Sequence, residues 1–292
     1  MTAGHPTQTG PWRLGHTGIT WPFDPAGAKQ AIADVSGTGY QGIELFGFVL
    51  DAYPGGVGAV ADDLAAAGLQ YAGSYCSVSL VDPTKRADDL SSIRRWATQV
   101  RALGADVAVV GPDQRTRDSY DGDDFATIAA TLDEIGRVCA DLEVHACFHP
   151  HTGTPVETLE QITQVMDRID PSVVFLAPDT GQIAKGGADP VALTRTYRDL
   201  IRHIHLKDYV GGVSTVDWEG HGADRTGYLD YLPLGEGVVD VAAVLAELGP
   251  QYAGWLMVEL DGTERATRPA REAAEISKRH LDSLVMSAAG SR

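Results

Sequence analysis

Hydrophobic and polar positions along this chain switch repeatedly between two periods. Short runs of β-branched or apolar residues lie at 13–20, 42–45, 70–75, 106–110, 143–148, 173–176, 201–206 and 254–258, and they predict eight strands. Between them apolar residues recur at three- and four-residue spacing, over 24–36, 57–67, 88–103, 124–139, 156–170, 189–200, 239–248 and 267–284. That spacing predicts a helix after each strand. Several of these segments open on an Asp or a Pro and close near a Gly, as Asp24-Pro25 and Gly37 do.

Strict alternation of strand and helix calls for a parallel sheet, since parallel neighbours need a crossover between them. Eight units suit closure, so the expected architecture is α/β, a single (β/α)8 TIM barrel. No linker or composition break divides the chain. The expected domain spans 13–288, with tails at 1–12 and 289–292. An open doubly wound sheet would place a Gly-rich phosphate loop after the first strand, and His16-Thr17-Gly18-Ile19-Thr20 contains none.

In such a barrel the chemistry sits at the C-terminal ends of the strands. Side chains alternate faces, so strand five sends Glu143, His145, Cys147 and His149 inward and Val144, Ala146 and Phe148 toward the helices. By the same rule Phe175, Ala177 and Asp179 share the inner face of strand six, His203, His205 and Lys207 that of strand seven, and Trp255, Met257 and Glu259 that of strand eight. Four strands thus deliver His149, Asp179, His205 and Glu259 to one rim. Two imidazoles with two carboxylates suit Mn²⁺, Co²⁺, Fe²⁺ or Zn²⁺ better than the oxygen-seeking Mg²⁺ and Ca²⁺, and Mn²⁺ is expected first. The competing reading makes Asp179 and Glu259 ion-pair partners of Lys207 or an Arg. His145 and His203, one inward position deeper, read as core residues, and Cys147 as packing.

Composition narrows the partners. A formal charge of −17, with no Lys/Arg stripe to offset it, repels phosphate backbones and argues against nucleic acid. Cys76, Cys139 and Cys147 are scattered without CxxC spacing, which fits a reducing compartment. The opening MTAGHPTQTGPWR lacks a targeting pattern, and no run approaches the ~20 apolar residues of a membrane span. The expectation is a cytoplasmic protein.

The segments Gly39-Tyr40-Gln41-Gly42-Ile43-Glu44-Leu45, Phe148-His149-Pro150-His151-Thr152-Gly153-Thr154, Asp179-Thr180-Gly181, His203-Ile204-His205-Leu206-Lys207-Asp208, Leu234-Gly235-Glu236-Gly237-Val238-Val239-Asp240 and Val258-Glu259 occur in this order. Together they resemble the xylose-isomerase-like sugar isomerase/epimerase barrels, and most of all their inosose (2-keto-myo-inositol) dehydratase branch. The likeness runs from Leu14 to about Leu284. It implies one divalent cation at His149, Asp179, His205 and Glu259, and a small keto-sugar or cyclitol as substrate. Barrels of this group often pair, so a homo-oligomer is compatible with it.

In the epimerase branch the first and last ligands are both Glu and shuttle a proton beside a carbonyl. Here the first is His149, and a metal-bound neutral imidazole cannot be that base. The resemblance therefore points to a hydro-lyase working by β-elimination, with a ketose epimerase or sugar isomerase as the alternative. The dehydratase branch carries three His on strand five and a His after Asp-Thr-Gly, where this chain has His149-Pro150-His151 and Gln182. A keto-sugar or keto-glycoside other than inosose follows from those departures. His151 and Lys207, each two residues beyond a ligand, are the acid/base candidates, and Glu44 is a third that could instead bind hydroxyls. Trp21 and Gln182, with Trp218 and Arg225 in the long 209–233 connection, are candidate substrate contacts. An abasic-site endonuclease and a non-catalytic sugar-binding barrel are the remaining rivals; the charge opposes the first, and metal removal would separate the second.

Overall fold

A computed structural model describes residues 12–212, 230–261 and 268–290. The strands are β1 (Arg13–Thr17), β2 (Gly42–Phe46), β3 (Gln70–Val78), β4 (Val107–Pro112), β5 (His145–Phe148), β6 (Val174–Leu176), β7 (Ile204–Leu206), β8 (Asp208–Tyr209), β9 (Tyr231–Leu232) and β10 (Trp255–Val258). Eight of them form one sheet in the order β6-β5-β4-β3-β2-β1-β10-β7, and β8 and β9 form a separate antiparallel pair. Every neighbouring pair in the large sheet is parallel. Parallel bridges Leu176↔Ile201 and Asp179↔His205 bring β6 and β7 together, so the sheet closes on itself. The expected eight-stranded barrel is what forms.

The helices are α1 (Pro25–Gly37), α2 (Gly47–Ala52), α3 (Gly56–Ala67), α4 (Arg86–Ala102), α5 (Gly122–Ala140), α6 (Leu159–Met166), α7 (Thr180–Lys185), α8 (Pro190–Tyr197), α9 (Val241–Leu248) and α10 (Ala270–Gly290). Their starts follow local chemistry. Asp24 accepts from the Gly27 amide ahead of Pro25, and Asp121 with Asp124, like Thr158 with Gln161, makes a reciprocal capping box. The Thr158 box sets the start of α6 later than the expected 156. None of the helices among the described residues is long and apolar enough to cross a membrane.

Alternation sorts the core as the sequence requires. Val144, Ala146 and Phe148 join the large cluster between sheet and helices, together with Ile204, Leu206, Leu256 and Val258. Val107, Val109, Cys147 and Ala177 pack inside the barrel, and Ala72, Trp255 and Met257 fill a second interior cluster. The floor is closed by Trp255, which needs Gly42 opposite: a Cβ there would lie 2.5 Å from the indole. Glu143 departs from expectation. It precedes the strand at φ 57°, in a turn where its amide bonds Ala140 O, and its carboxylate pairs with Arg101 on the surface. Strand alternation does not govern a residue that lies before the strand begins.

Candidate metal centre

The open end of the barrel collects buried charge. His149, Asp179, His205 and Lys207 are fully buried, with Glu44, Glu259 and Asp261 nearly so. Carboxylates and ammonium groups withdrawn from water are tolerated only with partners. One ligand atom from each of His149, Asp179 and His205 lies within 4.8 Å of the others. Glu259 joins them: its Oε2 stands 2.9 Å from His205 Nδ1.

Partners fix which atoms face the centre. His149 Nδ1 lies 3.0 Å from the carbonyl of Ala177, which can only accept, so Nδ1 carries the proton and Nε2 is left with its lone pair. Nε2 of His149 and Oδ2 of Asp179 are buried without a hydrogen bond, and Nδ1 of His205 faces the Glu259 carboxylate. Burial, with the neighbouring His205 charge next, pulls the His149 imidazole well below the usual histidine range and keeps it neutral. The two unpartnered buried atoms, beside His205 and Glu259, fit a cation in position, and in donor chemistry once His205 gives up its Nδ1 proton in exchange.

Below this level Glu44 Oε2 accepts from His203 Nε2 at 2.7 Å and His205 Nε2 at 3.1 Å. Burial would raise the Glu44 carboxyl, but His205 and His203 bring it down to about 2. Burial likewise opposes charge on His205, yet Glu259 and Glu44 outweigh it and hold the ring well above its usual range. Glu44 therefore stands under the centre as a support for His205, a position that hydrogen-bonds ligands rather than reaching the mouth.

Lys207 threads between the acids. Its Nζ lies 2.7 Å from Glu259 Oε1, 2.9 Å from Asp261 Oδ2 and 3.0 Å from Asp179 Oδ2, the last without hydrogen-bond alignment. Burial opposes its charge, but Asp179, Asp261 and Glu259 hold the ammonium well above the usual lysine range. One lysine cannot serve all of them equally. Burial lifts the Asp179 carboxyl to about 6 despite that neighbour. Asp179 and Glu259 thus pair with Lys207, as one of the two sequence readings has it, and stand beside the candidate metal centre.

His151 is half-buried at the mouth, its ring 5.9 Å from that of His149. Nδ1 lies 2.6 Å from the Thr152 carbonyl, which leaves Nε2 with the lone pair. Burial, then Lys207, lowers its pKa. Gln182 is buried beside the centre with its amide fully engaged. Its Oε1 accepts from Thr152 Oγ1 and Tyr231 OH, both at 2.6 Å, and its Nε2 donates to Asp261 Oδ2 at 3.3 Å. Its backbone amide also donates to Asp179 Oδ1 at 2.9 Å, so it braces two acids. Trp21 is not brought to the centre. Its indole N–H donates to Asp34 of α1 at 2.9 Å and its ring packs edge-on to His16. Trp218 and Arg225 lie outside the described residues.

Asp261 is the residue that the sequence reading passed over. The two-residue step that sets Trp255, Met257 and Glu259 inward continues to it, although β10 ends at Val258. Asp208 also gains a role: its carboxylate accepts from the amides of Gly235, Gly237 and Val239 at 2.9–3.0 Å and so ties the Leu234–Asp240 turn to β8. A Cβ on Gly237 would meet Asp208 Oδ1 at 2.3 Å, which explains the glycine.

The profile of the xylose isomerase-like TIM barrel family matches residues 32–284. Among curated proteins the chain is similar to an inosose dehydratase of Geobacillus kaustophilus, 27% identical over 298 residues, 94% of this chain and 95% of the relative. Among solved structures it is similar to an L-ribulose 3-epimerase, with TM-score 0.75, 16% identity and 96% of each chain covered. A second is the IOLI protein with a bound zinc atom, with TM-score 0.73, 16% identity, and 94% of this chain and 98% of the other covered. At these identities the two structures establish the fold alone.

Proposed function

The chain belongs to the xylose isomerase-like TIM barrel family, and from that premise we propose that it is a divalent-metal-dependent lyase removing water or an alcohol from a keto-sugar, inosose or keto-glycoside. The observation that carries this reading is the grouping of His149, Asp179 and His205, with His149 Nε2 and Asp179 Oδ2 buried without hydrogen bonds and Glu259 beside them. With Glu259 they would hold the cation, Mn²⁺ first by donor type, with Co²⁺, Fe²⁺ or Zn²⁺ as alternatives. When bound, the cation supplies positive charge for the oxygen on which negative charge develops as a carbonyl compound loses its neighbouring proton. The inosose dehydratase relative, similar along 94% of this chain, supports the reaction class.

The protein's own groups divide the proton work. His151, neutral and with Nε2 free of its Thr152 contact, takes the proton from the carbon beside the carbonyl. Lys207, held as ammonium by its carboxylates, donates toward the leaving oxygen. Gln182 and Asp261 keep that ammonium in place, and Glu44 orients His205. His149 favours elimination over epimerisation, because its Nδ1 proton is committed to Ala177 and its Nε2 would be taken up in holding the cation. The neutral ring keeps no free nitrogen for a second base. A small-molecule substrate and a cytoplasmic setting, where the buried thiols of Cys76, Cys139 and Cys147 stay reduced, belong to the same proposal.

The test is the product. In D₂O with Mn²⁺, a lyase acting on inosose or methyl 3-keto-glucoside generates an enone or diketone with new ultraviolet absorbance. Recovery of a deuterated sugar that has lost nothing would instead establish an isomerase or epimerase.

A further inference from the structure

One polar group at the barrel mouth is used neither by the centre nor by the proton chemistry. Tyr75 stands on β3 with its ring packed against the interior cluster of Val107, Val109, Cys147 and Ala177. Phe46 and His149 hold that ring edge-on, at 5.2 and 5.4 Å. Its hydroxyl end lies over Gly111 of β4, so closely that a Cβ on Gly111 would overlap the phenol oxygen. Tyr75 is itself level with Val109, two residues before that glycine. Val109 is level with Cys147, and the His149 amide donates to Val110 O, so Gly111 and His149 share the next inward row. The phenol thus lifts its oxygen from its own row to that of His149.

Tyr75 is half-buried, and its hydroxyl has no hydrogen-bond partner among the described residues. A phenylalanine would pack against Val109 and His149 equally well, so the oxygen is what needs a use. Burial, then the Glu259 charge, pushes the phenol up, which keeps it protonated and able to donate. A polyol entering the mouth sheds water from each oxygen that the walls cover, and each then needs a partner there. The metal and proton groups named above come from β2, β5, β6, β7 and β10 or from the residues just beyond them, and none from β3 or β4. We propose that Tyr75 is a specificity-determining residue: its hydroxyl donates to a hydroxyl oxygen of the bound keto-sugar, and Gly111 gives it room. This rests on the keto-sugar reading for its ligand but not on the elimination chemistry.

The experiment measures the affinity of Mn²⁺-loaded wild type and Tyr75→Phe for methyl 3-keto-β-glucoside and its 2-, 4- and 6-deoxy analogues by calorimetry, with turnover followed separately by ultraviolet absorbance. A neutral hydrogen bond of ordinary strength predicts that Tyr75→Phe binds the parent glucoside about three- to tenfold more weakly. One deoxy analogue should bind wild type more weakly by the same factor and lose nothing further in Tyr75→Phe. Mn²⁺ affinity should be equal in the two proteins, because the ring against His149 is kept. An equal loss for the parent and all three analogues overturns the contact, as does no loss at all, and turnover by wild type then leaves the lyase reading standing. Weaker Mn²⁺ binding in Tyr75→Phe also overturns it, since the residue would then act through His149. Binding of none of the four sugars by wild type overturns the contact together with the keto-sugar reading. Binding that depends on Tyr75 as described, without turnover, keeps the contact and overturns the lyase reading alone.

Discussion

His149 Nδ1 lies 3.0 Å from the carbonyl oxygen of Ala177, one strand away, and this contact decides which ring nitrogen faces the centre. Because a carbonyl only accepts, the metal-free protein holds His149 as the Nδ1–H tautomer. Nitrogen-15 NMR of histidine-labelled protein stripped of metal should show that form at neutral pH. An Nε2–H ring would remove His149 from any ligand set.

Glu44 supports His205 through a 3.1 Å contact and His203 through one of 2.7 Å. In Glu44→Gln the amide oxygen can still accept from both rings, as the single Oε2 does, but the negative charge is gone. Loss of such an outer partner weakens metal binding by roughly 10- to 100-fold. Calorimetric titration with Mn²⁺ measures it; unchanged affinity would mean that Glu44 serves the core alone.

Lys207 compensates Asp179, Glu259 and Asp261 when no cation is present. Lys207→Met leaves those acids buried together, a loss of about 3–5 kcal/mol by comparison with other broken buried pairs. Chemical denaturation should show this deficit in metal-free protein and a smaller one with saturating Mn²⁺, since added positive charge relieves the same repulsion. Equal deficits in both states would separate Lys207 from the cation's surroundings.

His16 gives a pH signature. Burial lowers its pKa from 6.5 to about 4. The unfolded chain therefore binds this proton first as pH falls, and stability drops from pH 6.5 down to about 4, then levels. The shift corresponds to about 3 kcal/mol. Other buried histidines, His149, His151 and His203, shift in the same direction, so the difference between wild type and His16→Gln isolates the residue. That difference should change across the pH 4–6.5 window and stay flat from pH 7 to 8.

Much of this was legible in the sequence because a barrel strand has a simple rule. Two-residue alternation placed Asp179, His205, Lys207 and Glu259 on one inner rim, and carried two residues further it reaches Asp261. The rule fails at Glu143, where the strand has not begun, and it says nothing of what lies behind a side chain. It gives no sign that the Trp21 N–H is taken by Asp34 or that the Gln182 amide is used within the protein. Helices α2 and α7, of six residues each, are too short to show a period.

The most direct measurement titrates chelator-stripped protein with Mn²⁺ while following both bound metal and the absorbance formed from a keto-glucoside. One cation should bind per chain, and activity should rise in proportion and saturate at one equivalent. His149→Ala and Glu259→Ala should lose both together. Full activity in the stripped protein, or wild-type metal binding in those two variants, would contradict the account.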